Sequence, residues 1–179
     1  VRAARVNPVD SKFRDGTYPQ GPLPRSPGSD FAGVVDAVGD DVDEFAVGDR
    51  VFGTGLGIDR QGTCAEHVIA TTSHLATLPD GIDFTVGGAV GLVGVTAWEG
   101  MIETAGLTAG DRCLIHGGSG GVGHVAVQIA SAAGASVTAT AVALPTSPAV
   151  ARRTPSCIAS KSSPVITSRL PVVVMNTSP

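Results

Sequence analysis

Cys113-Leu114-Ile115 runs into the glycine cluster His116-Gly117-Gly118-Ser119-Gly120-Gly121-Val122-Gly123. Beyond it Val122, Val125, Ala126, Ile129, Ala130 and Ala133 recur as one face of a helix. A strand, a tight turn and a helix follow one another here, and few folds accommodate that order around so many glycines. Gly118-x-Gly120-x-x-Gly123 is the spacing of a dinucleotide-binding turn. In such a turn one glycine makes the bend, one lets backbone approach a pyrophosphate, and one lets the helix pack closely on its strand. Gly118, Ser119, Gly120, Gly121, Val122 and Gly123 are therefore the candidate cofactor contacts, with the phosphates at the helix N-terminus, where unpaired N–H groups and the dipole favour anions. No Lys-Ser/Thr pair follows Gly123, which excludes a P-loop.

The rest of the chain bounds the setting. Its 179 residues are 42% hydrophobic and 16% charged, enough to build a core. The net charge is −4 and there is no basic stripe, so no nucleic-acid partner is expected. Cys64, Cys113 and Cys157 are scattered and odd in number, which suits a reducing compartment and cannot supply a four-cysteine zinc site. No charged-then-apolar leader precedes Val1, and no apolar run approaches the ~20 residues of a spanning helix. The expectation is a soluble cytoplasmic protein with no membrane partner.

Read in order, Val1 to Val6 is a strand already under way, as though the chain begins inside a domain. Asn7-Pro8-Val9-Asp10 is a turn, because the residue before proline avoids the helical region. Ser11 to Gly16 forms a helical turn, and a Pro/Gly-rich loop runs from Tyr18 to Pro27. Gly28 to Gly39 and Ala46 to Gly53 hold strands, with Gly62 to Ile69 and Leu75 to Leu78 as two more. Short strands at regular intervals with turn signals between them predict a small antiparallel barrel or sandwich. Near Phe84 the period changes, and Val86 to Ile102 reads as two helical pieces broken near Gly94. Gly134 stops the helix after the glycine turn, and Ser136 to Ala141 is a second, parallel strand. From Val142 onward the chain holds six of its twelve prolines, four basic residues and no acid. This Ser/Thr/Pro-rich tail, 142–179, is expected to be disordered, a linker, or non-native sequence from a shifted reading frame.

Asn7-Pro8-Val9-Asp10, Pro27 to Val35, Val47-Gly48-Asp49-Arg50-Val51, Ala65-Glu66, Gly94-Val95-Thr96-Ala97 and His116 to Gly123 stand in the order of a known family. Across residues 1–141 the chain resembles the zinc-independent quinone oxidoreductase branch of the medium-chain dehydrogenase/reductase superfamily. The resemblance implies an α/β fold with a β-rich part: an incomplete GroES-like catalytic domain (1–85), then the first βαβ unit of a Rossmann domain (86–141). It also implies NADPH as hydride donor and a quinone or α,β-unsaturated carbonyl as acceptor. Family members are usually homo-oligomers joined through the nucleotide domain, and the dimer edge is missing from this chain. Zinc-dependent relatives place Cys at the position of Asn7 and Gly-His-Glu at that of Gly28-Ser29-Asp30, so no zinc is expected.

Several residues carry two readings. Asn7 satisfies turn backbone, or, by resemblance, lies near the nicotinamide and substrate. Tyr18 anchors a loop, or its phenol donates a hydrogen bond to the acceptor oxygen. Thr96 caps a helix at the break, or, by resemblance, lies against the cofactor. Asp10 and Lys12 read as solvated loop charges, His116 and His124 as structural, and Trp98 as core. Cys64 and His67 are too far apart in residue parity to share a strand face, and so to share a metal. An NAD-binding unit would place Asp or Glu ~20 residues beyond the start of the glycine motif. Thr138, Ala139, Thr140, Ala141 and Val142 stand in that window, so NADP(H) is favoured over NAD(H), with Thr140 the candidate contact. The rival from another class is an inactive fragment or vestigial nucleotide-binding module, for which the isolated chain would bind NADPH poorly and reduce quinones little. A zinc-type alcohol dehydrogenase relative is the further alternative.

Overall fold

The computed structural model describes residues 1–18, 21–57 and 61–141. The tail from 142, and the expectations that it is disordered or non-native, lie outside the described residues. The chain divides into two compact units after Leu92.

In the first unit, β1 (Ala3–Arg5), β2 (Asp30–Val34), β3 (Arg50–Gly53) and β4 (Leu75–Thr77) form an antiparallel sheet in the order β1-β2-β3-β4. Arg5 pairs with Asp30, Phe31 with Gly53 and Gly53 with Leu75. Gly62 to Ile69 is not a strand. Its backbone instead bonds a loop, Gly62 N–H to the Ser26 carbonyl and Thr63 N–H to the Gly28 carbonyl. The opposite-face argument for Cys64 and His67 therefore does not apply; His67 lies 3.8 Å from the Asp36 carboxylate instead. Asn7-Pro8-Val9-Asp10 is not a free turn but the start of helix α1 (Pro8–Arg14). Asn7 is its extended N-cap and Pro8 its first residue, where a missing N–H costs nothing. Asp10 is consequently 7% exposed rather than solvated, because its carboxylate accepts the Asn7 N–H at 2.6 Å.

Phe84–Trp98 is one continuous α-helix, α2, which runs on as a π-helical segment over Glu99–Thr104. The expected break near Gly94 is absent. Glycine lowers helix propensity, yet here it lets backbone meet backbone. A Cβ on Gly88 would lie 3.1 Å from the Ala3 Cβ, and one on Gly91 would lie 2.9 Å from the Asp30 Oδ1 and 3.0 Å from the Gly53 carbonyl oxygen. Packing against the sheet outweighs the propensity loss. Continuity also makes Phe84–Thr104 a 21-residue helix that is long and apolar enough to cross a bilayer, contrary to expectation. Its glycine face lies on the sheet and Ala97 and Met101 are fully buried, while Val86, Val95 and Trp98 are exposed.

The second unit holds β5 (Arg112–Ile115), α3 (Gly121–Ala132) and β6 (Ser136–Ala139), and β5 and β6 pair in parallel, Cys113 opposite Val137. Helix α3 ends in a left-handed Gly134 (φ 82°), with the Ala135 N–H donating to the Ala130 carbonyl. Ala97, Met101, Leu107, Cys113, Ile115, Ala126 and Ala130 form the core. Trp98 is 49% exposed and not core. The helix is apolar all round, so its sequence does not mark a face. Ala97 and Met101, four apart, take the buried stripe, and Trp98 falls ~100° away.

Cys113 is buried at 4% exposure, and burial, followed by the neighbouring Asp111 charge, pushes its thiol pKa up from 9.0. Cys64 is exposed. In a Cys157→Ser background, a thiol reagent at neutral pH is expected to modify one sulfur at once and Cys113 only on unfolding, since the thiolate is the nucleophile. Equal native-state rates for both thiols would contradict the burial.

Candidate functional site

Two groups of residues carry the candidate chemistry, one in each unit. In the second unit β5 delivers the chain to the glycine turn. The residue that makes the bend is Gly117, at φ 73°, one position ahead of the Gly-x-Gly-x-x-Gly spacing. Gly120 N–H donates to the Gly117 carbonyl at 2.8 Å, and Gly120 is the N-cap of α3. Gly123, buried in the first turn, lies so close that a Cβ there would overlap the Gly117 carbonyl oxygen and sit 2.9 Å from the Gly118 Cα. A Cβ on Gly118 would lie 2.8 Å from the Ala139 Cβ of β6. The last glycine thus serves close packing as its spacing predicts, while Gly118 is required by the neighbouring strand.

Thr140 completes the turn. Its carbonyl accepts the Gly118 N–H at 2.7 Å, and its hydroxyl lies 3.3 Å from the Gly117 N–H and 3.1 Å from His116 Nδ1. Gly118 and Thr140 are therefore brought together, although Thr140 is occupied in holding the turn. His124 donates from Nδ1 to the Gly120 carbonyl at 2.9 Å, a structural role, because a carbonyl only accepts. His116 Nε2 is buried with no hydrogen-bond partner among the described residues. Ser119, Gly120 and Gly121 are exposed, and Val122 is half-buried. The first N–H groups of α3 have no preceding turn to bond, so the turn leaves exposed backbone donors at the helix N-terminus. Thr96 lies inside α2, half-buried and not at a helix break.

The first unit holds Asn7 and Tyr18 at opposite ends of α1. Asn7 is 3% exposed, and its Nδ2 donates to Asp30 Oδ2 at 2.8 Å. Asp30 is fully buried; its Oδ1 accepts the Leu92 N–H at 2.7 Å, and its carbonyl accepts the hydroxyl of fully buried Thr63 at 2.8 Å. Thr63 carried no signal in the sequence beyond its glycine-rich stretch, and Asp30 was marked only as standing where zinc-dependent relatives place a Glu. Tyr18 is 41% exposed; its ring packs on Phe13 at 5.8 Å and under the Lys12 ammonium at 5.2 Å. An apolar cavity of about 350 Å³ lined by Phe31, Val34, Val38, Val51, Ile69 and Leu75 lies in the same unit, and neither Asn7 nor Tyr18 lines it.

Residues 1–80 match the alcohol dehydrogenase GroES-like domain family. The human quinone oxidoreductase is 44% identical over 142 residues, which are 79% of this chain and 42% of that protein. An alcohol dehydrogenase superfamily protein from Novosphingobium aromaticivorans superposes with a TM-score of 0.75 at 45% identity, covering 78% of this chain and 43% of that one. A mycobacterial protein solved in complex with NADPH superposes at 0.66 and 35% identity, over 77% and 42% of the two chains. The chain thus spans under half the length of the relatives it matches. With a GroES-like unit followed by a strand, glycine turn and helix, the chain is similar over 79% of its length to quinone oxidoreductases and, in structure, to the alcohol dehydrogenase superfamily.

Proposed function

We propose that this chain is part of a zinc-independent, NADPH-dependent oxidoreductase that transfers hydride to a quinone or an α,β-unsaturated carbonyl. The observation that carries the reading is the glycine turn at the N-terminus of α3, closed by Gly123 and tied to β6 through Thr140. Bound there, NADPH would supply the hydride, so the protein needs to bind, orient and steady charge rather than provide a nucleophile. The backbone donors of Gly121, Val122 and Gly123 would hold the pyrophosphate, flanked by Gly118, Ser119 and Gly120, with Thr96 as a further contact. Ser136 to Ala141 carries no acid to claim a ribose 2′-hydroxyl, which supports NADP(H) over NAD(H). The NADPH bound by the mycobacterial neighbour points the same way.

Toward the acceptor, Asn7 would orient the reactants and Tyr18 would donate its phenol hydrogen to the oxygen on which charge develops. Among the described residues no three of His, Cys, Asp and Glu lie close enough to hold a metal ion. The Asn7 amide also bonds a carboxylate at the position where zinc relatives carry a cysteine. This contact supports chemistry without zinc. Fluorescence titration of residues 1–179 with NADPH and NADH, alongside quinone-dependent NADPH oxidation with and without a chelator, tests the reading. Tighter NADPH binding and chelator-insensitive turnover are expected. Preference for NADH, binding of neither nucleotide, or loss of turnover with the chelator would overturn it.

A further inference from the structure

We propose that Asp30 is the positioning residue for Asn7, its buried carboxylate fixing which end of the Asn7 amide faces the protein and which faces the acceptor. The inference rests on the proposed role of Asn7 and extends it to a residue no closer to the reacting atoms than Asn7 itself. The two ends of an asparagine amide are nearly equal in size, and packing alone leaves them interchangeable. A carboxylate has only acceptors, so the nitrogen must face it. Here Nδ2 meets Asp30 Oδ2 at 2.8 Å, with Asn7 3% and Asp30 0% exposed.

The carboxylate takes one further donor, and the Asp30 backbone is fixed beside it. The Leu92 N–H reaches Oδ1 at 2.7 Å, the Thr63 hydroxyl reaches the Asp30 carbonyl at 2.8 Å, and Asp30 is paired in register with Arg5, two residues before Asn7. Gly91 packs closely beside the carboxylate, since a Cβ there would lie 2.9 Å from Oδ1. A buried carboxylate that loses either the Asn7 amide or the Leu92 N–H is strongly disfavoured, so it holds the amide as firmly as the amide holds it. The other anchor lies on α1, where Asp10 accepts the Asn7 backbone N–H at 2.6 Å. Backbone and side chain of Asn7 are thus located by two different carboxylates, within a capping box that also sets the Asn7 side chain against the Asp10 N–H.

The experiment uses the ¹⁵N,¹³C-labelled 179-residue chain, with the Asn7 side-chain resonance assigned from Asn7→Asp. In the parent a scalar coupling from Asn7 Nδ2 to the Asp30 carboxyl carbon is expected, and its absence overturns the proposal without any variant having to fold. Asp30→Asn, nearly isosteric, is expected to speed exchange of the Asn7 amide hydrogens by about tenfold or more. It should lower kcat for quinone-dependent NADPH oxidation more than it changes the quinone KM, with NADPH affinity unchanged. The reversed pair Asn7→Asp/Asp30→Asn restores a donor and an acceptor across the same gap, and is expected to regain thermal stability without regaining kcat. Unchanged Asn7 exchange in Asp30→Asn, or kcat that returns with stability in the reversed pair, would overturn the proposal. A parent chain that oxidises no NADPH fails the functional reading alone, because the coupling and exchange measurements still decide the orientation.

Discussion

Gly123→Ala is expected to destabilise the second unit by about 1–3 kcal/mol or more, and with it to disrupt the proposed nucleotide site. The added methyl would overlap the Gly117 carbonyl oxygen, lie 2.7 Å from the Gly117 carbonyl carbon and 2.9 Å from the Gly118 Cα. All three are backbone atoms of the turn, so no flexible side chain can yield. Relief requires α3 to move off β5, which would open the packing of Ala126 and Ala130, both fully buried. Overpacking of a filled site costs about 1–3 kcal/mol or more, a large share of the ~5–15 kcal/mol that holds an ordinary domain folded. Urea unfolding followed by circular dichroism, with Ser131→Ala on the exposed side of α3 as control, measures the effect. A midpoint within ~0.5 kcal/mol of the parent, the range usual for surface substitutions, would show that the turn does not need this glycine.

Ile115→Ala should be nearly as severe, for a different reason. Ile115 is fully buried at the end of β5, in a core whose other members are Ala97, Met101, Leu107, Cys113, Ala126 and Ala130. Only Met101 and Leu107 among them are large, and the alanines have no reach with which to fill a cavity. A loss of about 2–5 kcal/mol is expected, against about 0.5–1.5 for Ile115→Val. Native-state hydrogen exchange of the β5 and β6 amides reads that loss locally, including Thr140, whose N–H donates to the Ile115 carbonyl at 2.9 Å. If alanine cost no more than valine, the core would be relaxing into the space and the packing argument would fail.

These two sites differ in how legible they were. The spacing of Gly118, Gly120 and Gly123 after an apolar run and before a helical stripe is local information, because turn, helix start and close packing are settled within about a dozen residues. It led directly to β5, α3 and β6, and Gly134 marked the end of α3 for the same reason. The strands around Phe31, Val51 and Leu75 were likewise signalled by apolar residues between turns, and they form one antiparallel sheet. By contrast Pro8 misled. A proline at the first position of a helix and one that ends an extended turn look the same until the N-cap geometry of Asn7 is known.

What the sequence by itself determined is the set of local elements and their order, since periodicity, glycine spacing and capping act over neighbouring residues. Only the tertiary structure decided which polar groups are buried and what they hold. Asp10 read as a solvated charge and Asp30 only as the place where zinc-dependent relatives carry a Glu, yet both carboxylates are buried and converge on Asn7 from residues 3 and 23 positions away. It also decided that the glycines of α2 keep the helix whole, because the sheet that rewards their close approach is built from β1 to β3, far back in the chain. Burial is a property of the neighbours a residue acquires on folding, and along α2 and around Asn7 those neighbours come from distant sequence.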